Sequence, residues 1–167
     1  MIVGIEGCSG SGKTTFINKF IEKYPEAIRF RGAGAVNVGI QSRWQEYNFW
    51  MHNIIEQLDK LNNSKNIILW DRFLTDAVHS EDIIYASEIL RAMKSHSNKA
   101  AIYIDVPNLI LKERGTKEGD EITEHKKRYQ SVLKSFNTLT ITPEAPDYYI
   151  TDEHITQAYE FIKKQMK

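Results

Sequence analysis

The residues best suited to chemistry in this 167-residue chain stand between positions 7 and 15. Gly7-Cys8-Ser9-Gly10-Ser11-Gly12-Lys13-Thr14 fits G-x-x-x-x-G-K-[ST] at every fixed position. Each residue type has a physical reason. Phosphate oxygens must approach backbone N–H groups closely, so bulky side chains would obstruct the loop. Glycines permit the dihedrals that turn several N–H groups inward. A helix starting near Lys13 adds its positive dipole end. Lys13 supplies a cation for β- and γ-phosphates, the Thr14 hydroxyl suits Mg²⁺, and Thr15 reaches toward the α-phosphate. Gly7, Ser9, Gly10, Ser11, Gly12, Lys13, Thr14 and Thr15 therefore form a candidate cradle for ATP with Mg²⁺. A glycine-rich turn without a ligand is the bland alternative. The apolar run before the loop and the amphipathic helix after it disfavour that alternative. Cys8 reads as a small loop residue, since no resolving partner stands near it in sequence.

A second group follows the apolar run Ile67–Trp70: Asp71, Arg72 and Phe73. A carboxylate at a strand tip beside a phosphate loop approaches Mg²⁺ directly or through water. Arg72 offers a planar fork for a phosphoryl group. Thr14 and Asp71 are thus the expected metal residues, and Lys13, Asp71 and Arg72 the expected catalytic ones. A plain surface Asp–Arg pair is the competing reading. Residues 113–123 form a polar stretch with Gly115 and Gly119, the composition of a short mobile lid. Arg114 and Lys117 are its candidate cations, Arg114 on the transferring phosphoryl and Lys117 on the nucleotide; a solvated loop is the alternative. Lys126, Lys127 and Arg128 read as a solvated helix face, with Arg128 toward the nucleotide as the alternative. Arg31, Arg43 and Arg72 are candidate cations for an anionic acceptor. Trp44 and Phe73 are candidate stacking residues for a base. Helical spacing in the same stretch (Trp44, Tyr47, Trp50) also suits ordinary core packing.

These residues must be positioned by strands and helices in alternation. Short apolar runs occur at Ile2–Ile5, Ala27–Phe30, Ile67–Trp70, Ala100–Val106 and Tyr148–Thr151. Helical spacing occupies Thr14–Tyr24, Ile40–Leu61, Asp82–Met93, Leu109–Arg114, Ile122–Phe136 and Ile155–Met166, with Asp152 as cap of the last. Near-continuous apolar strands separated by helices predict a five-stranded parallel sheet covered on both faces, a three-layer α/β architecture. Right-handed crossovers bring the carboxyl ends of the strands to one edge, where ligands bind. Both candidate groups fall just after strands.

Composition narrows the classes. Residues 1–167 fit one domain with a core large enough to need no staple. Hydrophobic residues at 41% and charged residues at 26% exclude a wholly disordered chain. Lys+Arg and Asp+Glu are both 22, so the basic excess of a protein that coats long nucleic acid is missing. One cysteine cannot form an internal disulfide. No apolar run reaches the roughly 18 residues of a membrane helix, and Met1–Ile5 has no basic segment of the signal-peptide kind, so a cytoplasmic protein is expected. The five histidines are scattered without metal-ligand spacing.

In these residues the chain resembles thymidylate kinase and its relatives among the P-loop nucleoside and nucleoside-monophosphate kinases. Ile5-Glu6-Gly7 with Gly10-Ser11-Gly12-Lys13-Thr14-Thr15 is similar to that family's opening, Asp71-Arg72-Phe73 to its Asp-Arg-Tyr motif, and Ile102–Pro107 running into Leu111–Arg114 to its fourth strand and lid approach. The resemblance implies ATP- and Mg²⁺-dependent phosphoryl transfer to a deoxynucleotide, and a homodimer through long helices. The chain departs from the family at Ser9, where Asp is common, and at Arg31-Gly32-Ala33-Gly34, where Arg-Glu-Pro-Gly-Gly is usual. The missing Glu helps choose the acceptor. A hydroxyl must lose a proton as it attacks and benefits from a base, whereas a monophosphate oxygen is already ionised and needs cations. A deoxynucleoside monophosphate, foremost dTMP, is expected. A nucleoside or polynucleotide 5′-hydroxyl with Asp71 as base stays open, as does a non-catalytic nucleotide-binding module. The Asp-x-x-Gly and Asn-Lys-x-Asp patterns of GTPase switches are missing.

Overall fold

A computed structural model of the chain describes residues 1–31, 66–74, 100–116 and 119–166, with isolated positions between 56 and 95. Five strands form one sheet: β1 (Ile2–Glu6), β2 (Ala27–Arg31), β3 (Ile67–Asp71), β4 (Ala100–Ile104) and β5 (Asn137–Ile141). The order is β2-β3-β1-β4-β5, and every pairing is parallel. β1 lies in the middle because it is buried on both faces along its whole length, as are the four apolar residues of β3 and all of β4. A parallel sheet needs such strands, since crossover helices cover both of its sides. The described helices are α1 (Lys13–Lys23), α2 (Asn108–Glu113), α3 (Ile122–Leu133) and α4 (Asp152–Gln165), with a 3₁₀ turn at Gly119–Glu121.

One core cluster joins Val3, Ile5, Leu69, Ile102 and Ile104 to Phe16, Ile17 and Phe20 of α1 and to Ile155, Ala158 and Ile162 of α4. The other joins Ile2, Ile68, Trp70, Ala101 and Tyr103 to Phe73, Leu74, Tyr129 and Leu133. The strand alternation assigns neighbouring residues to opposite clusters. Consequently Glu6, Tyr103 and the turn after β3 belong to one face, and α1 with the phosphate loop to the other. No described helix is long and apolar enough to cross a membrane.

The expected five-stranded parallel α/β sheet is present, with one strand displaced. The fifth strand is Asn137–Ile141, not Tyr148–Thr151, and α3 accordingly ends at Leu133 rather than running to Phe136. Residues 137–140 are exposed or half-buried and only Ile141 is buried, because β5 is an edge strand, which masked its signal. The cap of α4 is Thr151, not Asp152. Its hydroxyl accepts from the His154 N–H, and the His154 ring returns a bond to the Thr151 N–H at 3.1 Å. The expected helices Ile40–Leu61 and Asp82–Met93 lie largely outside the described residues.

Candidate active site

The phosphate loop connects β1 to α1 at the carboxyl edge of the sheet, on its central strand. Its entry is closed to any residue but glycine. Gly7 has φ +140°, and a Cβ there would lie 2.6 Å from the Ile104 carbonyl oxygen and 2.7 Å from Ser11 Oγ. Ser11 is buried, and its N–H donates to the Cys8 carbonyl at 3.2 Å, closing the tip of the loop. Gly12 caps α1 in the left-handed region with φ 96°, and no side chain caps that helix. Its first backbone N–H groups are therefore not taken by a capping side chain, the arrangement that receives an anion. Lys13 is 5% exposed, and its Nζ donates to the carbonyls of Gly7 (2.6 Å) and Cys8 (2.7 Å). The ammonium is thereby folded over the loop it is expected to serve.

A cavity of about 370 Å³ opens over this loop, lined by residues 10–15, Arg72, Arg114 and Tyr148–Ile150. Arg72, in the turn directly after β3, lines the same cavity. It adopts φ 66°, a conformation that costs a non-glycine residue on the order of 1–3 kcal/mol. Among the described residues its guanidinium has no hydrogen-bond or ion-pair partner, so its donors are available to a ligand. Lys13 and Arg72 therefore line one cavity.

Arg114 donates to the carbonyls of Gly10 (3.1 Å), Asp147 (3.1 Å) and Tyr148 (3.0 Å), tying the phosphate loop to the segment between β5 and α4. Arg114, expected on the transferring phosphoryl, lines the cavity with its donors resting on main-chain oxygens. Its guanidinium also lies 5.8 Å from the ring centre of Tyr149, which is 68% exposed. Tyr148–Ile150 had read as a strand and was missed as part of the site. Pro143 and Pro146 on its N-terminal side are the signal that could have marked it as a loop.

Asp71 does not line the cavity. Its Oδ2 accepts from Arg29 of β2 at 2.5 Å, with the two side chains 10% and 21% exposed. The two residues sit on adjacent strands, and Arg29 was not foreseen because a charged residue inside a short strand carries no sequence signature of pairing. Phe73, expected to stack on a base, lies in the core: it is 2% exposed and packs against Trp70 (4.9 Å between ring centres) and Phe136 (6.3 Å). Arg31 ends β2 at the same edge, but its side chain, Arg43, Trp44 and Lys117 lie outside the described residues.

The expected lid at 113–123 contains more regular structure than a solvated loop. The Gly119–Glu121 turn leads straight into α3, and Lys112 pairs with Asp120 at 2.8 Å, which holds the fully exposed Asp120 carboxyl below its ordinary range. Lys126 departs from the solvated-face reading: its Nζ lies 2.6 Å from Asp105 Oδ1 and donates to the Val106 carbonyl at 2.6 Å. Arg128 pairs with Glu124 at 3.6 Å. In β4, burial, helped by Asp105 and Cys8, raises the Tyr103 hydroxyl above its ordinary range, so it stays protonated.

No protein-family model matches the chain, and no curated protein sequence matches it. Solved structures do. A thymidylate kinase from Ehrlichia chaffeensis superposes with TM-score 0.59 at 20% identity, covering 100% of this chain and 98% of the other. The YorR protein of Bacillus subtilis, solved in complex with phosphorylated GDP, gives TM-score 0.63 at 15% identity, with 99% and 98% covered. A shikimate kinase from Aquifex aeolicus gives 0.58 at 17% identity, again with 99% and 98% covered. The fold is the one these three proteins share, and the likeness spans nearly all of this chain and of each of theirs, not only the loop. At these identities the likeness fixes architecture, and the chemistry must be argued from the cavity.

Proposed function

We propose that this protein transfers the γ-phosphoryl group of ATP, with Mg²⁺, to a deoxynucleoside monophosphate, dTMP foremost. The observation that carries this reading is that Arg72, with its guanidinium unpaired among the described residues, lines the same cavity as the Lys13 loop. Transfer between two phosphates requires that two polyanions be brought together against their repulsion. A cation on each side of the reacting centre does that and stabilises charge as it develops. In this reading the N–H groups of the loop and of the first turn of α1 hold the donor phosphates, and Lys13 moves from its carbonyls to the β- and γ-phosphates. Arg72 binds the acceptor phosphate. The base of the donor rests beside Tyr149 and the flat guanidinium of Arg114, which Gly10, Asp147 and Tyr148 hold in place. The similarity to thymidylate kinases supports the choice of acceptor.

The donor set fits Mg²⁺. The Thr14 hydroxyl lines the cavity beside the lysine, and a magnesium ion takes one or two protein oxygens, phosphate oxygens and several waters. When bound, the ion neutralises phosphate charge. Thr14 is the proposed protein ligand; Asp71, the other expected one, is engaged by Arg29.

The hydroxyl-acceptor alternative needs Asp71 as a base. Its ion pair with Arg29 and its position outside the cavity lining give that role no support. The test is ADP release measured across a panel of nucleoside monophosphates and nucleosides. Turnover with dTMP or another deoxynucleoside monophosphate is expected. Turnover with nucleosides alone would overturn the reading.

A further inference from the structure

Glu6 is the last residue of β1, fully buried, and is not among the residues that line the cavity. Burying a carboxylate is unfavourable unless it is well hydrogen-bonded. Its Oε1 accepts from the Leu74 N–H at 2.8 Å. One strand residue earlier, the Ile5 carbonyl accepts from the Arg72 N–H at 3.1 Å. The turn that carries Arg72 is therefore fastened to β1 at both sides of Phe73, once by main chain and once by the Glu6 side chain. Gly4 makes the room: a Cβ there would lie 3.0 Å from Phe73 Cβ and 3.2 Å from Glu6 Oε1.

Arg72 is the residue this fastening serves. Its φ of 66° is unfavourable for a side chain with a Cβ and persists only where neighbours over-determine it. Released from Glu6, residues 72–74 have an extended or helical alternative at lower local energy, and each turns the Arg72 side chain elsewhere. We propose that Glu6 is a positioning residue: it locks the 71–74 turn and so presents Arg72 to the cavity. The proposal rests on the reading that Arg72 meets the acceptor, but its structural half stands apart from that reading and is tested separately.

The experiment has two arms on the full chain, with Glu6→Leu, which removes the acceptor oxygen, and Glu6→Gln, which keeps one. The first arm is amide hydrogen exchange. In Glu6→Leu the amides of Arg72 and Leu74 exchange at least about tenfold faster while those of β1 and β4 stay protected, and Glu6→Gln retains most of the protection. Unchanged exchange in Glu6→Leu overturns the proposal. The second arm is a double-mutant cycle with Arg72→Ala, read as kcat/KM for dTMP phosphorylation. Glu6→Leu costs about a hundredfold in the natural background and less than about twofold once Arg72 is gone. Equal costs in both backgrounds mean a merely structural carboxylate and overturn the proposal. If the unmodified protein phosphorylates no acceptor, the proposed function fails, and the exchange arm alone decides whether Glu6 locks the turn.

Discussion

The two cationic parts of the cavity lining reach the same end by opposite means. The phosphate loop takes left-handed conformations at Gly7, Gly10 and Gly12, where they cost no steric clash. The turn after β3 takes one at Arg72, where it does cost. In the loop the glycines themselves permit the shape, and the binding groups are backbone N–H. In the turn the shape is imposed from outside, by Glu6, Ile5 and the buried ring of Phe73, and the binding group is a side chain. A site for the conserved part of a nucleotide can be built from main chain alone. A site that brings up a mobile cation needs packing behind it.

Four substitutions probe that contrast. The largest effect is expected for Lys13→Ala: kcat for phosphoryl transfer falls on the order of a thousandfold, with circular dichroism unchanged. A loss of ATP binding with kcat preserved at saturation would contradict the role given to the lysine. Next comes Phe73→Ala, which removes a core ring and lowers unfolding free energy by about 3–5 kcal/mol in a denaturant titration. An unchanged stability with a raised acceptor KM would restore Phe73 as a stacking residue. Arg72→Gly separates conformation from charge. It relieves the left-handed backbone, so stability holds or rises by up to about 1 kcal/mol, while kcat/KM for the acceptor drops about a hundredfold. Stability that falls along with activity would mean that the arginine is structural. The smallest effect is expected for Arg114→Ala, which unties Gly10 from the Asp147–Tyr148 carbonyls and raises the KM for ATP about tenfold with little change in kcat. A kcat loss as large as that of Lys13→Ala would return Arg114 to the transferring phosphoryl.

The same contrast explains what was legible in the sequence. The loop was readable because its shape depends on residue types at fixed spacing: Gly7, Gly12, Lys13 and Thr14 suffice. The order of strands and helices was readable because β1, β3 and β4 are buried on both faces and so appear as unbroken apolar runs. β5 was not, because an edge strand with exposed Asn137 and Thr140 has no such run, and Tyr148–Thr151 mimicked one. Arg72 was singled out for its charge, but its left-handed backbone leaves no trace in residue type, and neither does the brace from Glu6, 66 positions away. The surroundings of Arg114 and Phe73 were hidden for a related reason. A basic residue in a polar stretch and an aromatic beside an arginine look like ligand contacts, and only tertiary packing shows that one bonds to carbonyl oxygens and the other fills the core.

The central claim is that this cavity holds two phosphate groups at once, one on the loop and one on Arg72. A crystal structure with a non-hydrolysable ATP analogue, Mg²⁺ and dTMP tests it most directly. The account predicts donor phosphates on the N–H groups of residues 10–15 with Lys13 drawn away from the Gly7 and Cys8 carbonyls, and the Arg72 guanidinium hydrogen-bonded to the dTMP phosphate. A loop without phosphate, or an Arg72 turned out to bulk water with dTMP bound elsewhere, would contradict it.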